Sequence, residues 1–425
     1  QWFINNNYCP NKIKKREDFR VFIVILVKKL NHSQLRSYIT MSFTPTILSQ
    51  VINQVSRLEF SSCVKDNDAD KYVKSFFSWN LFILMIYAHL IEAKSMRHLV
   101  LVFNSATTKL YHLGCQKVGL NTLSNALAQR PSDVFKEFFY RILQQVPRKR
   151  TKIGRNFNKF VSIVDATCMP MKGRGTEWAK GGKSRQEARA HVLIDASGMP
   201  LDMVVSGAST HEIRGMKELN LAGTEVLVMD RGYYGFDLWR KLDKQGITFV
   251  TRAKRDTRYV VVSNRRGRRP KGVIEDQEIR LDNGKKRNGI RDLRMRRIVF
   301  MSPKGKLTFF TNDLESSASV ICELYRSRWE IEVFFKWIKQ NLKIKRFYGR
   351  NKNAIECQLW IAMILYLLIY MLKTGYCFTG SNLELIRLIS AKLLSNVTIA
   401  NMLSPPDTTT YNNVYQLKLF NSLGQ

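Results

Sequence analysis

Acidic residues are scarce in this chain. Against 69 Lys and Arg it carries 34 Asp and Glu, a formal charge of +35 over 425 residues. A one-signed field of that size exceeds what solubility asks of a surface and selects a polyanionic partner, either nucleic acid or an anionic membrane face. Long apolar runs are lacking as well. Val21 to Val27, Leu81 to Ile86 and Leu359 to Leu372 all fall short of the about 18 residues that cross a bilayer. The last of them is predicted to be a buried core helix. The basic residues cluster in strand and loop regions rather than on an amphipathic helix, which argues against a membrane-surface protein. No small-residue cleavage site follows the first run, which argues against a signal peptide.

Paired cysteines are also missing. The seven cysteines are far apart, odd in number and without a CxxC, so the pattern argues against a disulfide framework or a zinc ribbon and for a reducing cytoplasm. Six histidines with no HExxH or HxH spacing argue against a histidine-built metal centre. Core-forming residues are plentiful, at 45% hydrophobic and 11% aromatic, enough for two or three domains.

The first methionine is Met41, and residues 1–40 read as an upstream extension or disordered arm. Residues 41–150 are predicted to be helical, with apolar positions at three- and four-residue spacing, as in Ile47, Val51, Val55 and Leu58. Within them Lys117 to Arg130 reads as a turn feeding a short helix, either the recognition half of a helix-turn-helix or an ordinary capped helix. Pro147 to Asn158 reads as a basic, solvated linker. From there the period shortens: Phe160 to Val164, His191 to Ala196, Leu201 to Ser206 and Glu225 to Met229 read as strands, with helices after them. This predicts a mixed α/β sheet over 151–246, a β-rich segment over 247–312 laced with basic clusters, and helices again over 313–375. Residues 376–425 read as a C-terminal helix and a loose tail.

In so basic a chain, carboxylates at the ends of apolar strands stand out. Asp165 follows Phe160 to Val164, and Asp230 follows Glu225 to Met229. A carboxylate at the end of a buried strand needs a cation, and neighbouring strands would converge both where α/β sheets commonly place ligands. Oxygen-only donors suit Mg2+ or Mn2+; taken singly, an Asp at a strand end is more often a turn former or a helix cap. The stretch Tyr325 to Lys339 reads as one helix. At about 100° per residue, Tyr325, Arg328, Glu332, Phe335 and Lys339 share one face, while Ile331, Phe334, Ile338 and Leu342 form a separate apolar stripe. The bland reading is an i,i+4 surface pair worth about 0.2–0.5 kcal/mol. The aromatic and basic company on that face is what gripping a phosphate requires.

The pattern Y-x2-R-x3-E-x6-K, filled by Tyr325, Arg328, Glu332 and Lys339, resembles the signature of the insertion sequence 4 family of DDE transposases. Val164-Asp165, Val228 to Tyr234, Phe249 to Lys254 and Trp337 to Lys343 are similar to that family too. The resemblance implies an RNase H-like catalytic core (151–246 and 313–375), a β-rich insertion (247–312) and a preceding helical DNA-binding domain (41–150). It implies that Asp165, Asp230 and Glu332 hold two Mg2+ or Mn2+ ions, and that Tyr325, Arg328 and Lys339 grip the phosphates of a transposon end. Arg231, Lys336, Arg252 and Lys254 are further DNA contacts on the same reading. The implied partners are double-stranded DNA, both transposon ends and target, and a second copy of the chain in a synaptic complex, at the nucleoid of a bacterial cytoplasm. Some relatives stack a flipped base on a tryptophan of the insertion; this sequence has no Trp between Trp239 and Trp329, leaving Phe249, Tyr259 or another aromatic for that role. Two alternatives stand beside an active transposase: a metal-dependent nuclease that cuts without joining, and a catalytically silent DNA-binding derivative.

Overall fold

The computed structural model describes residues 44–404 apart from residues 172, 182–185, 211, 255, 266–268, 282–292, 304 and 342–346. The extension over 1–40 and most of the C-terminal tail lie outside the described residues, as do parts of the basic clusters. Residues 44–54 and 368–404 belong to one compact unit and residues 55–367 to another.

In the smaller unit Thr46 caps α1 (Ile47–Ile52) by accepting from the Ser49 N–H at 3.3 Å. The Ile47 and Leu48 N–H groups donate to the carbonyls of Ser395 and Leu393, so the start of this helix is satisfied by chain from far along the sequence.

The larger unit begins with α2 (Arg57–Asp66), α3 (Ser78–Leu90), α4 (Met96–Leu110), α5 (Leu120–Gln129) and α6 (Asp133–Gln145). Their shared core is aromatic: Phe60 meets Trp79, Phe82, Phe135 and Phe138 with ring centroids 5.0–6.2 Å apart. In α5, Leu123, Ala126 and Leu127 are buried while Asn121, Thr122, Ser124 and Asn125 face solvent, a pattern that serves either reading of that helix. Tyr140 of α6 donates to Asp202 at 2.6 Å, tying the helices to the sheet that follows.

The stretch read as a linker is in part a hairpin. β1 (Thr151–Ile153) pairs with β2 (Phe157–Lys159), turning near Gly154 at φ +62°, where only glycine sits without strain. Arg150 pairs with both Glu225 oxygens at 2.9 and 3.1 Å, while it and Lys149, Lys152 and Arg155 remain exposed.

Among the described residues a nine-stranded sheet follows. β3 (Val161–Pro170), β4 (Glu187–Asp195) and β5 (Pro200–Gly207) form an antiparallel meander, with Gly198 at φ +83° in its second turn. Helix α7 (Glu212–Glu218) returns the chain to β6 (Val226–Met229), which pairs in parallel with β3. Helix α8 (Phe236–Lys244) does the same for β7 (Thr248–Arg252), parallel to β6. Trp239 of α8 stacks on Phe249 of β7 at 5.5 Å; both are fully buried, which removes Phe249 as a platform for a flipped base. β8 (Tyr259–Asn264), β9 (Val273–Leu281), β10 (Met295–Ser302) and β11 (Gly305–Thr311) extend the same sheet, whose order is β5-β4-β3-β6-β7-β11-β10-β9-β8. The segment read as an insertion thus begins with a strand, β7, that lies among the parallel strands, and its remaining strands join on through β11.

Helix α9 (Ala318–Ser327), α10 (Trp329–Asn341), α11 (Lys352–Gly375), α12 (Asn382–Ala391) and α13 (Ile399–Leu403) complete the chain. The single helix expected over Tyr325 to Lys339 is broken at Arg328. Two i→i+3 bonds, from the Arg328 N–H to Tyr325 and from the Ile331 N–H to Arg328, tighten the backbone there and end one helix as the next begins. By length and composition α11 could cross a membrane, but 83% of its apolar window is buried within the protein, as expected of a core helix. Cys63, Cys115, Cys168, Cys322 and Cys357 are free thiols, whereas Cys377 is disulfide-bonded.

Arg296 of β10 fastens the extended sheet to the start of α9. It is 2% exposed, pairs bidentately with Asp276 at 2.7 Å and donates to the carbonyls of Asp313 and Ser316. Arg296→Ala strands the Asp276 charge and frees both carbonyls, so urea unfolding is expected to show a loss of about 3–5 kcal/mol. An exposed substitution such as Arg326→Ala is expected to lie within about 0.5 kcal/mol of the parent.

Candidate active site

The parallel register of β3 and β6 builds the centre. Val164 lies opposite Met229, so Asp165 and Asp230, one residue further along each strand, come side by side at the end of the parallel ladder. Asp165 does not end its strand, contrary to the sequence expectation: β3 runs on to Pro170 against β4. What ends at Asp165 is the pairing with β6. Asp230 leaves the sheet and precedes a single 3-10 turn over Arg231–Tyr233. The buried Thr251 hydroxyl of β7 donates to the Asp230 carbonyl at 3.3 Å.

The helix pair brings the other residues. Tyr325, in the last turn of α9, packs its ring on Phe309 at 4.7 Å and donates its hydroxyl to Asp230 Oδ1 at 3.3 Å. Arg328, at the helix break, reaches both ways. One guanidinium nitrogen stands 3.6 Å from Asp165 Oδ2 and the other bonds to Glu332 Oε1, one turn along α10. Arg252 ends β7 and its charge acts on the Tyr325 phenol. The structure therefore gathers Asp165, Asp230, Tyr325, Arg328, Glu332 and Arg252. Arg231, Lys254 and Lys336 are exposed and Lys339 half-buried; none of the four forms an ion pair among the described residues, and Lys254 instead lies over the Tyr234 ring at 4.9 Å.

Burial raises the Asp165 carboxyl from the ordinary 3.8 to about 6, with the neighbouring Asp230 and Glu212 adding to it and the Ala166 N–H and Arg328 opposing. Burial, and then the Asp230 charge, pushes the Tyr325 phenol up to about 12, so it stays a donor at physiological pH. Burial works against the Arg328 charge, but its bond to Glu332 and the surrounding negative charge hold its pKa above the ordinary value.

Among the described residues no three His, Cys, Asp or Glu side chains stand close enough to hold a metal ion as they are. The donor chemistry nevertheless fits a hard divalent cation. The converging side chains are carboxylates, and a cation already bridges two of them, the guanidinium of Arg328 standing between Asp165 and Glu332. A magnesium or manganese ion there would have Asp165 and Asp230 as neighbouring donors, and Glu332 once Arg328 moves aside.

A meander of three strands followed by two parallel strands with helical crossovers, with Asp165 and Asp230 at the end of the parallel ladder, is the topology of an RNase H-like core. A family model described as a transposase DDE domain matches residues 157–368, and a domain of unknown function matches residues 44–116. A protein of Sinorhizobium fredii named as a transposase is 31% identical over 68% of this chain and 81% of its own length. A protein of Geobacillus stearothermophilus named as the transposase of an insertion sequence element is 27% identical, over 68% of this chain and 74% of that one. A further relative, from a Synechocystis species and named likewise, is 24% identical over 69% of this chain and 84% of its own. The chain belongs to the DDE transposases of insertion sequences, a family whose chemistry depends on divalent metal.

The Asp165 shift carries a sign for stability. The folded chain takes up a proton as pH falls through about 6, and the unfolded chain only near 3.8. Stability therefore decreases as pH rises between those values, and the cost is fully present above them. Asp165→Asn removes that cost, so it is expected to raise the melting temperature by a few degrees at pH 7.5 and to give no advantage at pH 4, measured by calorimetry without added metal.

Proposed function

We propose that this protein cuts the ends of an insertion sequence and joins the freed 3′-hydroxyl to target DNA, with Asp165, Asp230 and Glu332 as its catalytic carboxylates. The observation that carries the reading is Arg328 bridging Asp165 and Glu332 beside Asp230, an arrangement of carboxylates held together by a cation. Two Mg2+ or Mn2+ ions, when bound, supply activation of the attacking oxygen and stabilisation of the leaving one in an in-line displacement at phosphorus.

The chain's own residues do the rest. Tyr325 keeps Asp230 oriented through its hydroxyl. Arg328 exchanges its carboxylate partners for a phosphate of the DNA end, since a guanidinium binds phosphate in the same two-pronged way, and that exchange would free Glu332 to serve as a metal-holding carboxylate. DNA entry and completion of the centre are thereby coupled: a chain without an end bound keeps its third carboxylate neutralised. Lys339, Lys336, Arg231, Arg252 and Lys254 supply further phosphate contacts around the cut, in a protein whose net charge already draws it to DNA. Two ends cut and joined together call for two copies of the chain on one pair of ends, at the bacterial nucleoid.

Glu332→Gln is expected to abolish Mg2+-dependent cleavage of a labelled transposon end while leaving end binding within about twofold in a gel-shift assay; undiminished cutting would refute the assignment. Arg328→Ala is expected to weaken end binding and to lower the slope of log affinity against log salt by about one, the loss of one phosphate contact. Strand-transfer products from the parent protein separate a transposase from a nuclease that only cuts, and the absence of both reactions identifies a silent derivative.

A further inference from the structure

One helix of the larger unit presents a face unlike its neighbours. Helix α5 exposes Asn121, Thr122, Ser124, Asn125, Ala128 and Gln129, which at about 100° per residue cover nearly half of its circumference. All six are neutral, and all but Ala128 can donate or accept hydrogen bonds. The helix holds no charged residue at all, whereas α2 exposes Arg57, Lys65 and Asp66, the ordinary composition of a solvated face. Among the described residues the five polar side chains of this face form no hydrogen bond.

The face is held stiffly. Leu123, Ala126 and Leu127 are buried on its other side, where α5 packs on α3 and α4. The turn leading into the helix is bonded at three points. Trp79 Nε1 donates to the Leu113 carbonyl at 3.1 Å and Asn80 Nδ2 to that of Gly114 at 2.7 Å. The Asn104 carboxamide pairs in both directions with the Val118 backbone at 2.9 Å. At the far end Asn353 of α11 donates to the carbonyls of Leu127, Ala128 and Arg130 at 2.7–3.3 Å, and Asn351 to Ala128 at 3.1 Å. Helix α5 is thereby fastened to the helix that follows the one carrying Glu332.

The surroundings are cationic. No Asp or Glu occurs between Glu92 and Asp133. Arg97 and Lys109 of α4 and Lys117 of the turn are exposed and form no ion pair among the described residues. A neutral ridge of amides and hydroxyls, with cations on the adjoining turn and helix, complements the major groove of DNA: the cations meet phosphates, while carboxamides and hydroxyls meet base edges. A protein partner would call for aromatic or apolar anchors on the ridge, and α5 carries none there.

We infer that the exposed face of α5 enters the major groove of the transposon end, where Asn121 and Asn125, one turn apart, read base edges and so determine which DNA is cut, with Lys117 holding a phosphate beside them. The inference rests on the reading of the chain as acting at the ends of an insertion sequence. It goes beyond that reading in naming the residues that tell an end from other DNA.

The test uses the full-length protein without Mg2+, so that cutting plays no part. Gel-shift titrations compare a labelled transposon end with an equally long duplex of unrelated sequence, and the parent is expected to prefer the end. Asn121→Ala combined with Asn125→Ala is expected to lower affinity for the end by about tenfold or more, to leave the unrelated duplex within about twofold, and to keep the salt slope, because base contacts are lost and phosphate contacts are not. Asn125→Ala alone is expected to show the same pattern with a smaller loss. Lys117→Ala is expected to weaken both duplexes alike and to lower the slope by about one on each. A parent without preference overturns the inference, as does a double variant that folds as the parent by circular dichroism and either keeps the preference or loses affinity for both duplexes equally. A double variant altered only in self-association, by sedimentation velocity, makes the face a protein contact and overturns it too. Loss of preference in the double variant upholds the inference even if the parent forms no cut or joined product with Mg2+, a result that counts against the catalytic reading alone.

Discussion

The contact of one guanidinium with two carboxylates is the constraint around which the centre is organised. Asp165 sits within a strand and Glu332 on a helix far along the chain, and Arg328 spans them. Without a cation, like charges gathered at the end of a sheet would drive the helix pair away from the strands. With one, α10 packs across β3 and the carboxylates stay within reach of each other. On the function proposed above, the same cation is the group a phosphate would draw away, so the interaction that assembles the centre would also tie its opening to DNA.

The surrounding architecture holds that arrangement in place. β3 and β6 are short where they pair in parallel, and their shared register leaves no choice about which residues follow at the end of the ladder. The added strands β8 to β11 reinforce the same sheet, and Arg296 ties them to the residues just before α9. The basic extension of the sheet is therefore mechanically continuous with the helix that presents Tyr325, in a protein whose surplus charge suits a long anionic partner.

Much of the centre was readable beforehand. Carboxylates beside apolar strands, and Tyr, Arg, Glu and Lys at helical spacing, are local patterns that survive in sequence; that β3 runs on past Asp165 and that the helix breaks at Arg328 are not. β9 was not anticipated because Glu275, Asp276 and Glu278 make it look like a charged loop; it is a strand because Arg297, Arg296 and Arg294 neutralise those residues. The hairpin over 151–159 was read as linker because of its basic surroundings; Arg148 and Arg150, just before it, lie over the Phe160 ring, and Arg150 pairs with Glu225.

By itself, then, the amino-acid order determined the alternation of strand and helix, the excess of positive charge and the presence of carboxylates beside apolar strands, because each depends on neighbours within a turn or a strand. Tertiary structure decided which carboxylates meet, that Arg328 stands between two of them, that the helix breaks where it does, and that the inserted strands continue the core sheet. Those outcomes depend on register and on charges brought together across more than a hundred residues of chain, where only the packed molecule sets the distance.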